Sequence, residues 1–577
     1  MQCMQYDSRE QPERMLKPEL SSAIPNMLRI ALALHQAGHL SEAERIYRYI
    51  LATDAHHADS LHLLGMIAYQ QGHPEIAIAM IRRAIKYNRK GAAYYSNLGT
   101  VYHALGKLEK AAGCYKQAVA LQPDLSESHY NLGNILHTQE RLDEAAACYE
   151  RALVLQPNLA EAHYNLGNLF QAQGKLDKAA QCYERALEID PTKHEAVHNL
   201  GNALEAQDKL QDARRCYERA LTIEPGYAKA HYSLAALDHS QGEVDKALKG
   251  YRTTLTLQPD LADAGFAEGL AHLLQGDFAT GWRNYEWRWR TTAHTPPMRS
   301  YTQPLWTGQK LPAGRLLVWG EQGIGDEIMF AGLIPEVVRS GNRCLLDCDV
   351  RLKPLFARSF PSIEVVSSRA SGDDPGHNSE LHLAAHIPCG SLPRLFRPDL
   401  AAFAATTSPY LVADSAERER FRANYADGRR LAGVAWYTSN TKTGRIRSID
   451  LAMFAPLFAR PDIRWISLQY GDHDWLQKQA KASDAPLLID RRVNQFSNID
   501  LFTAQIAAMD LVVTIDNSTA HLAGALGIPT WVLLPFASDW RWMRNREDSP
   551  WYPTSRLFRQ PSRGDWQSVL RRVERAL

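Results

Sequence analysis

Asn-Leu-Gly stands at 97–99, 131–133, 165–167 and 199–201, one copy every 34 residues. Leu64-Gly65 continues the row backward, and Leu234-Ala235 and Gly269 continue it forward. Ala111, Ala145, Ala179, Ala213 and Ala247 keep the same interval, as do Tyr115, Tyr149, Tyr183, Tyr217 and Tyr251, and Pro123, Pro157, Pro191, Pro225 and Pro259. Registers held over so many copies fix the fold class of this half. The unit is two helices and a turn, in which small Gly and Ala let the helices approach and Pro ends the second one. One such unit cannot bury its own apolar face, so the copies must stack. Cys114, Cys148, Cys182 and Cys216 recur at the same interval, each just before the tyrosine. Stacking spaces them by about a helix diameter, roughly 10 Å, which is beyond the reach of an S–S bond. They are expected as small buried residues.

The registers resemble the tetratricopeptide repeat family over about Ile24 to Arg290, with weaker copies around Ala31 at the start and around Gly269 and Tyr285 at the end. The resemblance implies an α superhelix at 24–290, after an N-terminal extension at 1–23, with a concave groove that holds another polypeptide. Asn97, Asn131, Asn165 and Asn199 take the same place on the first helix of four successive units. Side-chain amides so spaced can donate to and accept from an extended peptide backbone. The row is similar to the asparagine ladder of the eukaryotic O-GlcNAc transferase, and this implies a protein or peptide acceptor in the groove. The other reading is that each asparagine bonds its neighbouring unit; Leu63 and Ser233 break the row at its ends.

Residues 291–314, rich in Thr, Pro and Ser, read as a linker, and Trp287-Arg-Trp-Arg290 reads as a cap on the last repeat. From Arg315 the period changes. Short apolar runs at Leu316–Trp319, Cys344–Leu346 and Ile363–Val366 alternate with helical stretches such as Asp326–Ser340, which predicts parallel βαβ units. A second series begins at Leu431–Trp436 and continues through Trp465–Leu468, Leu487–Ile489, Leu511–Ile515 and Thr530–Leu534. The expected organisation is therefore α/β, with one Rossmann-like domain at 315–408, a connector at 409–430, and a second Rossmann-like domain with a C-terminal helix at 431–577. Two such sheets place their strand C-termini at a shared crevice, where open α/β folds bind ligands.

Gly320-Glu-Gln-Gly-Ile-Gly-Asp326 ends a strand and starts a helix. Backbone N–H groups and the helix dipole favour an anion there. The spacing lacks G-x-G-x-x-G and Gly-Lys-Ser/Thr, which argues against a dinucleotide or a P-loop. Asp326 is open to two readings: an N-cap, or a carboxylate at a crevice rim that takes a proton from a hydroxyl. A second strand-to-helix junction, Asp516-Asn-Ser-Thr-Ala-His521 leading into Leu522–Leu526, offers Asn517, Ser518 and Thr519 as donors to a pyrophosphate.

Together the Gly-x-Gly-Asp turn at 323–326 and the Asp-x-x-x-x-His-Leu-x-x-Ala-Leu-Gly-x-Pro run at 516–529 resemble the heptosyltransferase-like glycosyltransferases of family nine, which have the GT-B fold of two Rossmann-like domains facing a cleft. The resemblance covers about Leu316 to Leu577. It implies that Asp326, beside Gly323 and Gly325, deprotonates the acceptor hydroxyl. It also implies that Asp516, Asn517, Ser518 and Thr519 hold a nucleotide-sugar donor, with His521 on the donor side or in the core. The family places a cation after the first strand of the donor domain; here Lys442, Arg445 and Arg447 are the candidates, and the loop does not align residue for residue. Arg541 and Arg544 are candidates to reach the phosphates from the tail. The expectation is transfer of a sugar from a nucleoside diphosphate to a hydroxyl, with inversion and with neither metal nor cofactor. The alternative is a non-catalytic repeat scaffold for protein–protein interaction, with a decayed transferase domain.

Charge excludes some partners. Lys plus Arg total 65 against 64 for Asp plus Glu, so no bulk field draws nucleic acid or an anionic membrane. No run of eighteen apolar residues is present and Met1–Ser22 has no apolar core of a leader, so no membrane span is expected and a cytoplasmic location is. Cys344, Cys348 and Cys389 lack paired metal spacing, and Asp347-Cys-Asp349 is read as a chance likeness to a metal motif.

Overall fold

The computed structural model describes residues 18–291, 298–299, 301–368, 382–406, 408–440 and 444–577. Sixteen α-helices lie between Pro18 and Tyr285. In a central copy the two helices are Ala160–Ala172 and Leu176–Ile189, and each conserves its role at the 34-residue interval. The registers have a direct steric cause. A Cβ on Gly99, Gly133, Gly167 or Gly201 would stand 2.9, 2.7, 2.7 or 2.6 Å from the ring of Tyr115, Tyr149, Tyr183 or Tyr217. The glycine row and the tyrosine row are thus the two halves of one contact, with the tyrosines buried. Ala111, Ala145, Ala179, Ala213 and Ala247 are fully buried beside them, and the prolines stand in the turn that follows each second helix. The repeated cysteines are half-buried free thiols.

A further register emerges at the end of each first helix. Gly38, Gly72, Gly106, Gly174, Gly242 and Gly276 are left-handed there, with φ from 69° to 89°, and Glu140 and Asp208 take the same place with φ of 59° and 65°. A side chain costs about 1–2 kcal/mol in that region, offset by about 0.5–1 kcal/mol of extra unfolded-state entropy for glycine. Replacing the exposed Glu140 by Gly is expected to stabilise the array by about 0.5–1 kcal/mol, read from the urea midpoint by far-UV circular dichroism. A lower midpoint refutes this account of the register.

The chain divides into two compact units, 1–225 and 226–577. The second unit opens with the helices Ala228–Ser240, Val244–Leu257, Ala262–Gln275 and Phe278–Tyr285, and a 3₁₀ turn at Glu286–Arg290. Two parallel sheets follow. The first comprises β1 (Arg315–Trp319), β2 (Arg343–Asp347), β3 (Glu364–Val366) and β4 (Leu383–Pro388), in the order β3-β2-β1-β4. The second comprises β5 (Arg430–Ala435), β6 (Ile463–Ser467), β7 (Leu487–Leu488), β8 (Leu511–Ile515), β9 (Thr530–Leu534) and β10 (Ser555–Arg559), in the order β10-β9-β8-β5-β6-β7. The direction of winding reverses between β1 and β4, and between β5 and β8. Those are the places where open sheets leave a crevice at their strand C-termini.

One buried cluster runs from Ala235 and Tyr251 through Trp282 and Tyr285 to Phe330, Phe403, Trp540 and Trp551. The last repeats and the sheets therefore share a core. Trp282 donates its indole N–H to the Arg397 carbonyl at 2.9 Å. The segment expected as a linker is pinned as well: Leu305 bridges His386 of β4 and Trp306 is buried. The expected connector contains the helix Ser415–Tyr425, whose N-cap is Asp414. Among the described residues no helix is long and apolar enough to cross a membrane.

Candidate functional site

β1 is a wholly apolar strand after its first residue, and its C-terminal end delivers the glycine turn. At Gly320 a Cβ would stand 2.4 Å from the Glu327 carboxyl carbon, so any larger residue would displace that buried carboxylate. Gly323, with φ −74° and ψ 164°, caps the helix Ile324–Ala331. Asp326 is therefore the third helical residue, and the N-cap reading of Asp326 is corrected. Gly325 permits a close approach between helices, since a Cβ would lie 3.1 Å from His521 Cδ2.

The turn is held from behind. Arg288, fully buried, donates Nε and Nη2 to the two carboxylate oxygens of Glu321 at 2.9 and 2.8 Å. Glu321 also accepts from Gly390 N at 2.8 Å, and the Gln322 amide donates to Tyr285 Oη at 2.7 Å. Neither Arg288 nor Glu321 had a sequence signal as a pair, because nothing periodic links positions so far apart.

β8 is buried at every residue and ends at Ile515, directly before Asp516. Asn517 caps the helix Ser518–Ala525, accepting from Thr519 N at 3.0 Å. The helix thus begins four residues before the expected Leu522, because Asn517 supplies a cap that the apolar pattern conceals. Asn517 Nδ2 is buried and has no partner among the described residues, a donor that wants an acceptor. Thr519 is fully buried and its N–H is spent on the cap; its Oγ1, like Asn517 Nδ2, has no partner among the described residues, but it does not line the cavity.

One cavity of about 490 Å³ joins the two junctions. Gly323, Ile324 and Gly325 form one wall, Asp516, Asn517 and Ser518 another, and Arg447, Tyr470, Phe496 and Phe502 complete it. Its parts follow β1, β5, β6, β7 and β8, with Arg351 added after β2; β1, β5 and β8 stand at the winding reversals. Gln469, buried, shapes the loop after β5 by accepting from Trp436 N and Tyr437 N at 2.9 and 2.8 Å. Of the candidate cations in that loop, Arg447 lines the cavity, Arg445 is exposed, and Lys442 lies outside the described residues.

Charged groups form a chain beside the cavity. Arg541 donates Nε to Asp326 Oδ1 at 3.0 Å, adds a second contact through Nη2, and reaches Asp539 Oδ1 through Nη1 at 2.7 Å. Arg447 lies 3.2 Å from Asp516 Oδ2 and 3.7 Å from Asp539 Oδ2. Trp542 donates to Asp516 Oδ1 at 2.8 Å. Burial pushes the Asp516 carboxyl above its usual range despite Arg447. Burial acts on Asp539 too, but Arg541 and Arg447 outweigh it and hold that carboxyl below its usual range. Both contacts of Arg541 with Asp326 fall on Oδ1; Oδ2 lies on the side of Gly323, 3.8 Å from where a Cβ on that glycine would stand.

His521 belongs to the packing. It is buried, stacks on Trp542 at 5.5 Å and pairs Nδ1 with Tyr552 Oη at 2.8 Å. Burial, reinforced by Arg541, pushes its pKa down to about 4, so the ring is neutral at physiological pH. Arg544 lies 3.8 Å from the exposed Asp245. Asp347 accepts from Arg299 Nη1 at 2.6 Å and from Ser368 N at 2.8 Å, while Asp349 holds Arg351. Among the described residues no group of three or more His, Cys, Asp or Glu side chains is placed to hold a metal ion.

In the array, Asn165 donates Nδ2 to Tyr130 Oη and Asn134 Oδ1 at 3.3 and 3.0 Å, and Asn199 does the same to Tyr164 and Asn168 at 3.3 and 2.9 Å. Asn97 pairs with His62 at 2.7 Å. Each of these three amides reaches the preceding unit, as the second reading of the row expects. All four asparagines, Asn131 included, remain half-buried.

Comparison with known proteins bears on the array. Models of the tetratricopeptide repeat match residues 34–101, 99–140, 133–174, 160–193 and 194–227. Protein FlbA of Caulobacter vibrioides (strain ATCC 19089 / CIP 103742 / CB 15) is 30% identical over 330 residues, covering 54% of this chain and 54% of its own, so the chain spans about half the length of that relative. The solved structure of YrrB, described as a TPR protein with an unusual peptide-binding site, is 25% identical over 33% of this chain and 98% of its own, with a TM-score of 0.31. That of MamA is 26% identical over 29% of this chain and 97% of its own, with a TM-score of 0.28. The N-terminal half of the chain is built of tetratricopeptide repeats, the architecture of a protein–protein interaction scaffold.

Proposed function

We propose that the chain is a glycosyltransferase of GT-B architecture, moving a sugar from a nucleoside-diphosphate donor to a hydroxyl on a protein segment that the repeats present. One observation carries the reading: a single cavity is walled by the glycine turn before Asp326 and by the helix start at Asn517 and Ser518. The helix start and Arg447 offer N–H donors and positive charge to a departing diphosphate. Asp326, one residue past the glycine turn that walls the cavity, takes the proton of the incoming hydroxyl as its oxygen bonds to the sugar carbon. With one base and displacement from the opposite face, the configuration inverts. The first sheet, within 315–408, carries the base, and the second, within 431–577, carries the donor.

The scaffold reading keeps one observation in its favour, the pairing of Asp326 and Asp516 with arginines, which a purely structural network would also display. The two part in a melting screen of the full chain with ADP, UDP, GDP and TDP, followed by donor turnover. A bound nucleotide at 100 times its Kd adds about 2.7 kcal/mol, a rise of several degrees. No shift with any of the four and no turnover of any nucleotide sugar establishes the scaffold instead.

A further inference from the structure

Asp326, Asp516 and Asp539 meet two guanidiniums, Arg447 and Arg541, in one chain of contacts. Asp326 and Asp539 do not line the cavity assigned above to a diphosphate, yet between them they hold a guanidinium that such a ligand would use, while Arg351 lines the cavity along with Asp516. Arg447 already lines the cavity. Arg541 is turned away from it, with Nε and Nη2 on Asp326 Oδ1 and Nη1 on Asp539 Oδ1.

The backbone that carries Arg541 is fixed. Its own N–H is bonded to Asp539 Oδ1 at 3.0 Å. Trp540 is wedged against Trp282 and Tyr285, with ring centroids 5.3 and 5.8 Å apart, and Trp542 is bonded to Asp516. Any rearrangement is therefore confined to the guanidinium. A planar guanidinium forms paired hydrogen bonds to a phosphate as readily as to a carboxylate. Two anions, one permanent and one transient, thus compete for one cation.

Resting on the donor-site reading, we propose that Arg541 is a diphosphate ligand held in reserve by Asp326: the arriving diphosphate draws the guanidinium off the carboxylate, and the base is unmasked only when the donor is in place. Arg541 then acts as a positioning residue that orders the two substrates, donor before acceptor, and spares the base from meeting a hydroxyl in an empty site. Linkage makes the coupling reciprocal. Removing the charge of Asp326 must tighten diphosphate binding, and must do so through Arg541.

The test is calorimetric titration of inorganic pyrophosphate into the full chain and its variants. Asp326→Asn is expected to bind roughly 5- to 150-fold more tightly than the parent, the ordinary range of such coupling. Arg541→Met is expected to bind more weakly, and in Asp326→Asn/Arg541→Met the gain from the asparagine is expected to shrink to within about twofold. Equal tightening with and without Arg541 overturns the proposal, since it would mean simple charge relief; so does an Asp326→Asn variant that gains nothing. Arg541→Lys, which keeps the charge but not the fork, is expected to fall between parent and Arg541→Met, and serves if the methionine variant does not melt as a folded protein. If nucleotides shift the melting temperature but pyrophosphate binds no variant, this proposal fails alone; if neither binds, the donor site fails with it.

Discussion

Replacing Arg288 by Met is expected to destabilise the second unit by about 3–5 kcal/mol, the ordinary result of removing one partner of a buried ion pair. Arg288 is fully buried, and besides Glu321 it serves Ser391 Oγ at 2.9 Å and the Tyr285 carbonyl at 3.2 Å. Methionine fills the volume and supplies none of this. Glu321 would keep Gly390 N–H and lose its counter-charge. Burial already pushes the Glu321 carboxyl above its usual range, with Arg288 opposing; without the arginine the opposition vanishes and the folded pKa rises further. A raised folded pKa favours the folded state below the unfolded value of about 4.3 and penalises it as pH rises through the folded value. The deficit of the variant against the parent is thus largest near neutrality and shrinks in acid. All thirteen tryptophans lie at or beyond Trp282, so tryptophan emission, excited selectively over tyrosine, reports this unit alone during urea unfolding. Arg288→Met/Glu321→Gln should recover much of the loss at pH 7.5. A single variant within about 1 kcal/mol of the parent, below the usual cost of stranding a buried charge, would mean that the pair is not closed in solution.

Asp326→Asn is expected to lower donor turnover by about 10² to 10⁴, the usual contribution of a general base. The amide keeps the shape and can still accept from Arg541 through its oxygen, so the fold and the cavity should persist. Water can stand in for the acceptor hydroxyl, which lets slow donor hydrolysis report the base before any acceptor is known. The distinguishing result is a split: turnover lost while nucleotide binding is kept or strengthened. If the parent turns over a nucleotide sugar and the variant does so within a few-fold, Asp326 is not the base, and the proton must leave by another route.

Much of the architecture could be read from residue spacing because it is enforced by spacing. A glycine that would collide with a tyrosine ring in each of four units leaves a row in the sequence as well as a contact in space. The strands β1, β2, β5, β6, β8 and β9 were legible as apolar runs because both faces of a parallel sheet are covered. β4 and β10 were not: Leu383-Ala-Ala-His-Ile-Pro388 and Ser555-Arg-Leu-Phe-Arg559 mix small, charged and apolar residues, unlike the other two edge strands, β3 and β7, which the runs Ile363–Val366 and Leu487–Ile489 had marked. At the candidate site the two junctions were visible, and the cavity joins them. Hidden from the sequence were the contacts between distant positions: Arg288 with Glu321, Arg541 with Asp326, and the caps that begin the helices at Ile324 and Ser518. Thr519 stood in the right motif, yet on the buried side of its helix, where a lone helix start gives no sign of direction.

The buried cluster that binds Trp282 and Tyr285 to Phe403, Trp540 and Trp551 decides where the array can change length. Deleting residues 24–290 would strip that cluster bare and unfold what it meant to spare, so loss of activity in such a truncation would say nothing about an acceptor. Among the described residues, the repeats upstream of Gly226 contribute none to that cluster, so it sets no limit on how many whole 34-residue copies precede it.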